Sequence, residues 1–410
     1  MSRINIALIG GQPAPVYYGT LATNPDKVVF IYSKESKNRQ GDKIEKEIAR
    51  LNIPIEQVSL DATDANEIKS MAIALAGKYS NDDIFVNITG GTKPWAYFFS
   101  MIFKPMDNAS IVYIDQNNVL WNYKTMESIK CNDINMIVNF RLYGNELNHY
   151  TNFYDYDEED KKTDEEIETF WCSLGNKYYH KTFNKLLATR KSIKGQNDLL
   201  LTAQNGFFDL VDRGDKVLTD NDKRADDIKN NQSFVEWSKD SPNHREQVKI
   251  VLLNILKPNK TKVLEINSRH AVSLAFNSGW FEYKVASLLS NWDKIKEIFL
   301  NCRFPSQKLD IVKNEVDIIF STSNKIYFVE CKTQIYDYTD IDKFRSAVTT
   351  YGGSGSKALF VTYEEMDPVA LNKCQEKSII TFSIKSYIDN ATCINALLDI
   401  LNGESNKSNV

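Results

Sequence analysis

Between Asn314 and Thr333 the chain reads Asn-Glu-Val-Asp-Ile-Ile-Phe-Ser-Thr-Ser-Asn-Lys-Ile-Tyr-Phe-Val-Glu-Cys-Lys-Thr. Two apolar runs flank a polar tip, and acids and a lysine stand at their far ends. A hairpin centred on Ser323 and Asn324 sets Asp317 across from Glu330 and Glu315 across from Lys332, and period-2 alternation turns Glu330 and Lys332 out of one face. Three acids and an ammonium on strands otherwise made of Val, Ile and Phe are costly to bury unpaired. The patch is therefore a candidate site for a divalent cation. Upstream, Gly279-Trp-Phe-Glu-Tyr-Lys-Val-Ala-Ser-Leu-Leu repeats apolar residues at Phe281, Val285, Leu288 and Leu289. That spacing predicts an amphipathic helix with Glu282 in its first turn.

Helix, hairpin, acid, acid, lysine is an order that resembles the PD-(D/E)xK nuclease superfamily. The motif residues are Asp317 and then Glu330-Cys331-Lys332, and Glu282 matches the acid often supplied by the preceding helix; Val316 stands where the superfamily usually has proline. The resemblance implies hydrolysis of a phosphodiester. That chemistry needs charge neutralised at a phosphorane-like transition state and a water made nucleophilic near neutral pH. Asp317 and Glu330 would hold Mg²⁺ or Mn²⁺ through hard oxygens, with the Cys331 carbonyl beside them, while Lys332 orients or deprotonates the attacking water.

Further on, residues 340–350 read as a helix that ends at Tyr351-Gly-Gly-Ser-Gly-Ser-Lys357, and a strand begins at Ala358. A phosphate-binding loop follows a strand and opens a helix, the reverse of this order. The stretch is expected to be a helix-to-strand connection, with Lys357 a candidate contact to a nucleic-acid backbone.

Whatever lies upstream must be built differently. Ile4–Ile9, Lys27–Tyr32, Ile55–Leu60, Ile84–Ile88 and Ser110–Asp115 are short apolar runs, and helical spacing falls between them, most clearly over Ile44–Leu51 and Ile68–Tyr79. Strands alternating with helices predict a parallel sheet in an open, Rossmann-like α/β domain, which binds ligands beyond the carboxyl ends of its strands. The first strand runs into Gly10-Gly11-Gln12-Pro13 and the fourth into Thr89-Gly90-Gly91-Thr92-Lys93-Pro94. Glycines let a backbone approach a ligand closely, amides at a helix start attract anions, and Lys93 adds a positive charge. A phosphate is the expected guest. Neither loop has the glycine spacing of a dinucleotide or nucleoside-triphosphate site.

These two turns on a Rossmann-like domain resemble a CARF domain, the cyclic-oligoadenylate sensor of type III CRISPR defence. Joined to a PD-(D/E)xK nuclease, the arrangement resembles the Card/Can branch of CRISPR ancillary nucleases over about residues 1–125 and 260–400. The resemblance implies a homodimer that grips a cyclic oligoadenylate, most simply cyclic tetra-adenylate, through Gly10, Gly11, Gln12, Thr89, Gly90, Gly91, Thr92 and Lys93.

Composition sets the remaining limits. With 410 residues and 42% apolar content the chain can build more than one core. No stretch approaches a membrane span and no signal peptide is read at the N-terminus, so a cytoplasmic protein is expected. Six scattered cysteines lack paired spacing and the four histidines lack ligand spacing, which disfavours structural zinc. A net charge of −4 argues against permanent nucleic-acid binding. A local groove is one candidate, at Lys177–Lys185 and Arg190–Lys194, where basic and aromatic residues interleave. Before it, nine acids fall between Asp155 and Glu168, and residues 211–243 are charged and Asn-rich, both compositions of linker or surface.

The expected architecture is α/β throughout: a sensor domain over 1–150, a linker and inserted charged region over 151–260, and a restriction-endonuclease-like domain over 261–404. The expected activity is a metal-dependent endonuclease acting on single-stranded RNA or DNA, nicking supercoiled plasmid, and switched on by cyclic oligoadenylate. Two alternatives stand beside it: a restriction or repair nuclease with no nucleotide activator, and a ligand-controlled transcription regulator. Clustered acids at a DNA-reading face disfavour the second.

Overall fold

The computed structural model describes residues 1–156, 158, 161–162, 208–212, 248–253, 262–266, 279–305, 312–335, 337–353 and 355–407. The basic and aromatic run at 177–194, nearly all of the acidic and charged stretches around it, and His180, His244 and His270 lie outside them. The chain forms two compact units, Met1–Thr151 with Leu289–Glu330 and Gln334–Val410, and Asn152–Leu288 with Cys331–Thr333.

The first unit opens with β1 (Arg3–Leu8), α1 (Pro13–Ala22), β2 (Lys27–Tyr32), α2 (Lys34–Ser36), α3 (Asp42–Ala49), β3 (Ile55–Ser59), α4 (Ala65–Lys78), β4 (Asp83–Asn87), α5 (Lys93–Phe103) and β5 (Ala109–Ile114). The short strands β6 (Val119–Asn122) and β7 (Glu127–Lys130) follow. They make one sheet in the order β3-β2-β1-β4-β5-β6-β7. Strands β1 to β5 are parallel, as the sequence predicts, and β6 and β7 add an antiparallel edge. Parallel strands are covered on both faces, so β1 and β2 are buried at consecutive positions, Ile4 to Leu8 and Val28 to Tyr32. One face packs Ile4, Ile6 and Leu8 against Ile68 and Leu75 of α4 and Trp95 and Phe99 of α5. The other packs Ala7, Val28 and Phe30 against Val16 of α1 and Ile44 and Ile48 of α3. Strand order reverses between β1 and β4, and the crevice at such a switch point is where open α/β sheets take ligands.

Next comes α6 (Met136–Leu142), whose two ends serve different cores. Leu142 belongs to the core beside α1 and α3, whereas Met136 and Phe140 belong to the core of the unit's second sheet. Asn135 caps the helix, its side chain accepting from the Val138 N–H at 2.9 Å, and its own N–H reaches the Tyr18 hydroxyl at 3.0 Å.

β8 (His149–Asn152) is an outer strand of that second sheet. In the other unit, β9 (Phe208–Asp212), β10 (Val248–Leu253) and β11 (Lys262–Ile266) pair antiparallel, and α7 (Gly279–Leu289) forms where the sequence predicts a helix. Its Trp280, Phe281, Val285, Ala286 and Leu289 are buried. The second sheet continues with β12 (Glu297–Pro305), β13 (Val312–Ser321), β14 (Ile326–Lys332), α8 (Thr339–Gly352), β15 (Lys357–Thr362), α9 (Pro368–Glu376), β16 (Ile379–Ser383) and α10 (Asn390–Lys407). Its order is β16-β15-β14-β13-β12-β8. Phe304, Val316, Ile319 and Phe328 meet Ile341, Phe344 and Tyr351 of α8 in its core.

The hairpin tip between β13 and β14 rests on the segment that leads into α6. The Ser323 carbonyl accepts from the Asn118 side chain at 3.2 Å and from the Ile134 N–H at 3.3 Å. A hydrogen bond from the Ser323 hydroxyl, followed by Lys296 at 3.2 Å, holds the Asp133 carboxyl below its ordinary range against the opposing effect of burial. Glu297 accepts from the Met136 N–H at 3.0 Å and the Ser321 hydroxyl at 3.5 Å. Glu297→Ala leaves a helix-start amide without its acceptor and is expected to cost about 1–3 kcal/mol. A lowered denaturant midpoint with unchanged slope is the result that checks it.

Candidate active and ligand-binding sites

The β13–β14 hairpin has the register read from the sequence. Ser321 pairs with Ile326, Phe320 with Tyr327, Ile319 with Phe328 and Ile318 with Val329. The same register continued by one step sets Asp317 beside Glu330. At the tip, the Thr322 N–H donates to the Lys325 carbonyl at 2.9 Å. Asp317, Glu330 and Lys332 are half-buried, between the buried neighbours Val316, Ile318, Val329 and Cys331.

On the other side of β13, Leu300 pairs with Ile318 and Cys302 with Val316, which leaves Asn301 opposite Asp317. Asn301 has a φ of 53°, in the left-handed region. A strand that takes this conformation at one residue kinks there, so the sheet is locally deformed beside the first acid. Asparagine is among the side chains that tolerate this region best. Neither the kink nor Asn301 carries a signal in the sequence.

Glu282 lies in the first turn of α7, 7% exposed, and Cys331 is 5% exposed. Cys331 and Lys332 belong to the compact unit that contains α7, and Asp317 and Glu330 to the other. Among the described residues, no three His, Cys, Asp or Glu side chains form a metal-holding group. Two carboxylates and a backbone carbonyl, the donor set expected here, need no third such side chain, and all-oxygen donors suit Mg²⁺ or Mn²⁺.

The two glycine turns of the first sheet meet backbone to backbone at the switch point. A Cβ on Gly10 would lie 2.5 Å from the Gly91 nitrogen. One on Gly90 would run into the Leu8 carbonyl oxygen and lie 2.9 Å from the Gly10 nitrogen. Gly91 has a φ of 76°. Gly11 differs, since a Cβ there would meet nothing within 4 Å. Buried Asn87 holds the second turn, accepting from the Thr89 N–H at 3.1 Å and donating to the Val16 carbonyl at 3.4 Å.

The polar groups of these turns divide by role. Thr89 accepts from the Ile114 N–H at 2.9 Å. Thr92 caps α5, accepting from the Trp95 N–H at 3.4 Å and donating to the Ala62 carbonyl at 3.0 Å, so its hydroxyl is committed to the fold. Helix-start amides are fewer than the sequence reading assumes, because Pro13, Pro15 and Pro94 have no N–H. The loop amides, the Gln12 side chain and exposed Lys93 are left to meet an anion. Gln12 is itself oriented: the Tyr143 hydroxyl donates to its Oε1 at 2.9 Å. Burial pushes the Tyr143 hydroxyl up to about 12, which keeps it a donor through the neutral range.

Comparison with known proteins follows this division. Residues 4–143 match the model of the Card1 CARF domain, and residues 269–381 that of the Card1-like endonuclease domain. No curated protein matches the chain. Can2 from Sulfobacillus thermosulfidooxidans, solved in complex with cyclic tetra-adenylate, superposes with a TM-score of 0.62 at 16% identity, covering 98% of each chain. Protein VC1899 from Vibrio cholerae gives 0.62 at 16% identity, covering 99% of this chain and 98% of that one. A type III CRISPR defence DNA nuclease activated by cyclic oligoadenylate gives 0.53 at 13% identity, and there the match covers 93% of this chain but 50% of the other. At such identities the superpositions establish the fold.

Proposed function

We propose that this chain, which joins a Card1 CARF domain to a Card1-like endonuclease domain, is a metal-dependent endonuclease switched on by cyclic tetra-adenylate in type III CRISPR defence. The observation that carries the reading is the meeting of the Gly10–Gln12 and Thr89–Lys93 turns at the switch point of one sheet, in a chain whose other sheet carries the Asp317 and Glu330 hairpin. Cyclic tetra-adenylate is the ligand named for the Can2 structure.

In this mechanism the first turn presents backbone amides and the Gln12 side chain to a phosphate of the ring, and Lys93 neutralises its charge. Such a ring is nearly two-fold symmetric, so a homodimer offers it the same groups twice. Binding favours one arrangement of the sensor domains, and activation is limited by how much better the ring binds that arrangement. At the hairpin, Asp317, Glu330 and the Cys331 carbonyl would hold Mg²⁺ or Mn²⁺, which supplies Lewis-acid stabilisation of the phosphoryl oxygens. Lys332 orients the attacking water, and Glu282 in the first turn of α7 is the residue that the superfamily resemblance assigns as a further acid. The net charge of −4 provides little attraction to open a duplex, which favours single strands and supercoiled plasmid as substrates.

A direct test compares cleavage of single-stranded RNA, single-stranded DNA and supercoiled plasmid with Mn²⁺, Mg²⁺ or chelator, each with and without cyclic tetra-adenylate. Cleavage is expected only where metal and ring are both present. Equal cleavage without the ring would end the sensor reading. Lys93→Ala removes a charged contact worth about 1.5–3 kcal/mol and is expected to weaken ring binding roughly 10–100-fold. Saturating ring should restore wild-type cleavage in this variant, because the hairpin is untouched.

A further inference from the structure

Tyr143, directly after α6, touches both halves of the first unit. Its hydroxyl donates to Gln12 in the first glycine turn, and its ring lies where a side chain on Gly353 would be, with Cε1 3.1 Å from an ideal Cβ. Gly353 has a φ of 71° and ends α8. The Phe328 ring faces the adjacent Gly352, its Cε2 2.6 Å from where a Cβ there would lie. Phe328 belongs to β14, two residues before Glu330. A chain of close neighbours thus runs from Gln12 through Tyr143 and the Gly352–Gly353 backbone to the strand that carries the second acid.

That chain borders open space. Gln12, Tyr143, Gly352, Gly355, Ser356 and Lys357 are among the residues that line a cavity of about 360 Å³. Gly355 would have no neighbour within 4 Å of a Cβ, whereas the Gly352 carbonyl accepts from the Ser356 hydroxyl at 2.5 Å and the Gly353 carbonyl from the Ser356 N–H at 3.5 Å. Behind it the structure is tied more firmly. The Asn145 side chain donates at 3.4 Å to the Thr350 and Tyr351 carbonyls, and the Tyr351 ring stacks on Phe304 with centroids 4.0 Å apart. The end of α8 and its glycines are therefore held together, so a displacement of one is carried to the other.

We propose that Tyr143 is a positioning residue that couples ligand binding at Gln12 to the setting of β14 through the Gly352–Gly353 backbone. This rests on the activation reading above and adds the route by which the first sheet acts on the second. A ring phosphate that draws the Gln12 side chain toward itself pulls against the Tyr143 hydroxyl, and the Tyr143 ring then shifts on Gly353. The approach of Gly352 to Phe328 changes with it. Coupling of this kind travels through packed contacts, so no charge or proton needs to move.

Tyr143→Phe tests this, because it deletes the hydroxyl and keeps the ring on Gly353. Full-length protein is measured for thermal unfolding, for affinity toward cyclic tetra-adenylate, for cleavage with and without the ring, and for amide hydrogen exchange at Gly352 and Gly353. Wild-type exchange is expected to change on ring addition. The variant is expected to fold and bind the ring, while the ring-dependent gain in cleavage falls about tenfold and the exchange response disappears. A merely structural role would lower the unfolding temperature and leave the ratio of activated to basal cleavage alone. Asn145→Ala, which loosens the anchor of α8 without touching Gln12, is expected to keep the exchange response. A Tyr143→Phe protein with both the wild-type activation ratio and the wild-type exchange response overturns the proposal. A wild type whose cleavage ignores the ring while exchange at Gly352 still responds through Tyr143 retains the coupling and removes the activation reading alone.

Discussion

Glu330→Ala is expected to lower cleavage by at least about 10²–10³-fold, the loss typical when a group that stabilises transition-state charge is removed. Folding and ring binding should be unchanged. The side chain is half-buried between buried Val329 and Cys331, so the strand keeps its packing when the carboxylate goes. Glu330→Gln separates charge from shape, since it keeps the volume and loses the hard anionic oxygen. It should be as inactive as the alanine variant. Asp317→Ala is expected to match both, and the double variant to add little, because residues that hold one cation act as a unit. Lys332→Ala is expected to lose cleavage while Mn²⁺ binding, followed by calorimetry, persists. Near wild-type rates in Glu330→Ala at saturating Mn²⁺ would remove β14 from the chemistry and leave the hairpin a structural element.

How much of this was legible beforehand depended on how local the information is. The hairpin register was readable because two apolar runs of period 2 meet at a polar tip, and pairing about Ser323 and Asn324 fixes every partner, as Ser321↔Ile326 and Ile318↔Val329 bear out. The parallel strands β1, β2, β4 and β5 were readable because strands covered on both faces carry runs of apolar residues, whereas β3, at the sheet edge, offers only Ile55 and Val58. β6 and β7 carry no such signal, with four residues each and β7 exposed along its length. Left-handed Asn118 and Met126 turn the chain there, and only the first is a residue type that advertises such a turn. The glycine stretch after α8 was separable from a phosphate loop by its order, and the structure has that order, with α8 ending at Gly352 and β15 starting at Lys357. Tyr143 was illegible for a different reason. Its partner Gln12 is 131 positions away, and nothing around a tyrosine at a helix end marks it as a contact between two sheets. The kink at Asn301 was hidden in the same way, since a single residue of unusual φ does not disturb the period of the strand around it.

The glycines were legible as a group and not as individuals, and their separation gives the second large effect. Gly90→Ala places a methyl group against the Leu8 carbonyl oxygen, with the Val16 side chain 2.8 Å away. The β1 and β4 turns must then move apart at the point where they touch. Overpacking of this kind costs about 1–3 kcal/mol, and the unfolding temperature is expected to fall by at least about 2–4 °C per kcal/mol lost for a domain of 150–250 residues. Ring binding should fail with it, because the amides that would cradle a phosphate are displaced. Gly11→Ala is the counterpart. Open space surrounds that position, so the methyl group meets no protein atom within 4 Å, and the unfolding temperature should not change. Only a ligand that approaches the Gly11 backbone closely would meet the added carbon. Loss of ring affinity in Gly11→Ala at constant unfolding temperature therefore places the phosphate on the first turn. Wild-type affinity in that variant, with Lys93→Ala still weakened, would move the phosphate to the Thr89–Lys93 turn and leave Gln12 outside its direct contacts.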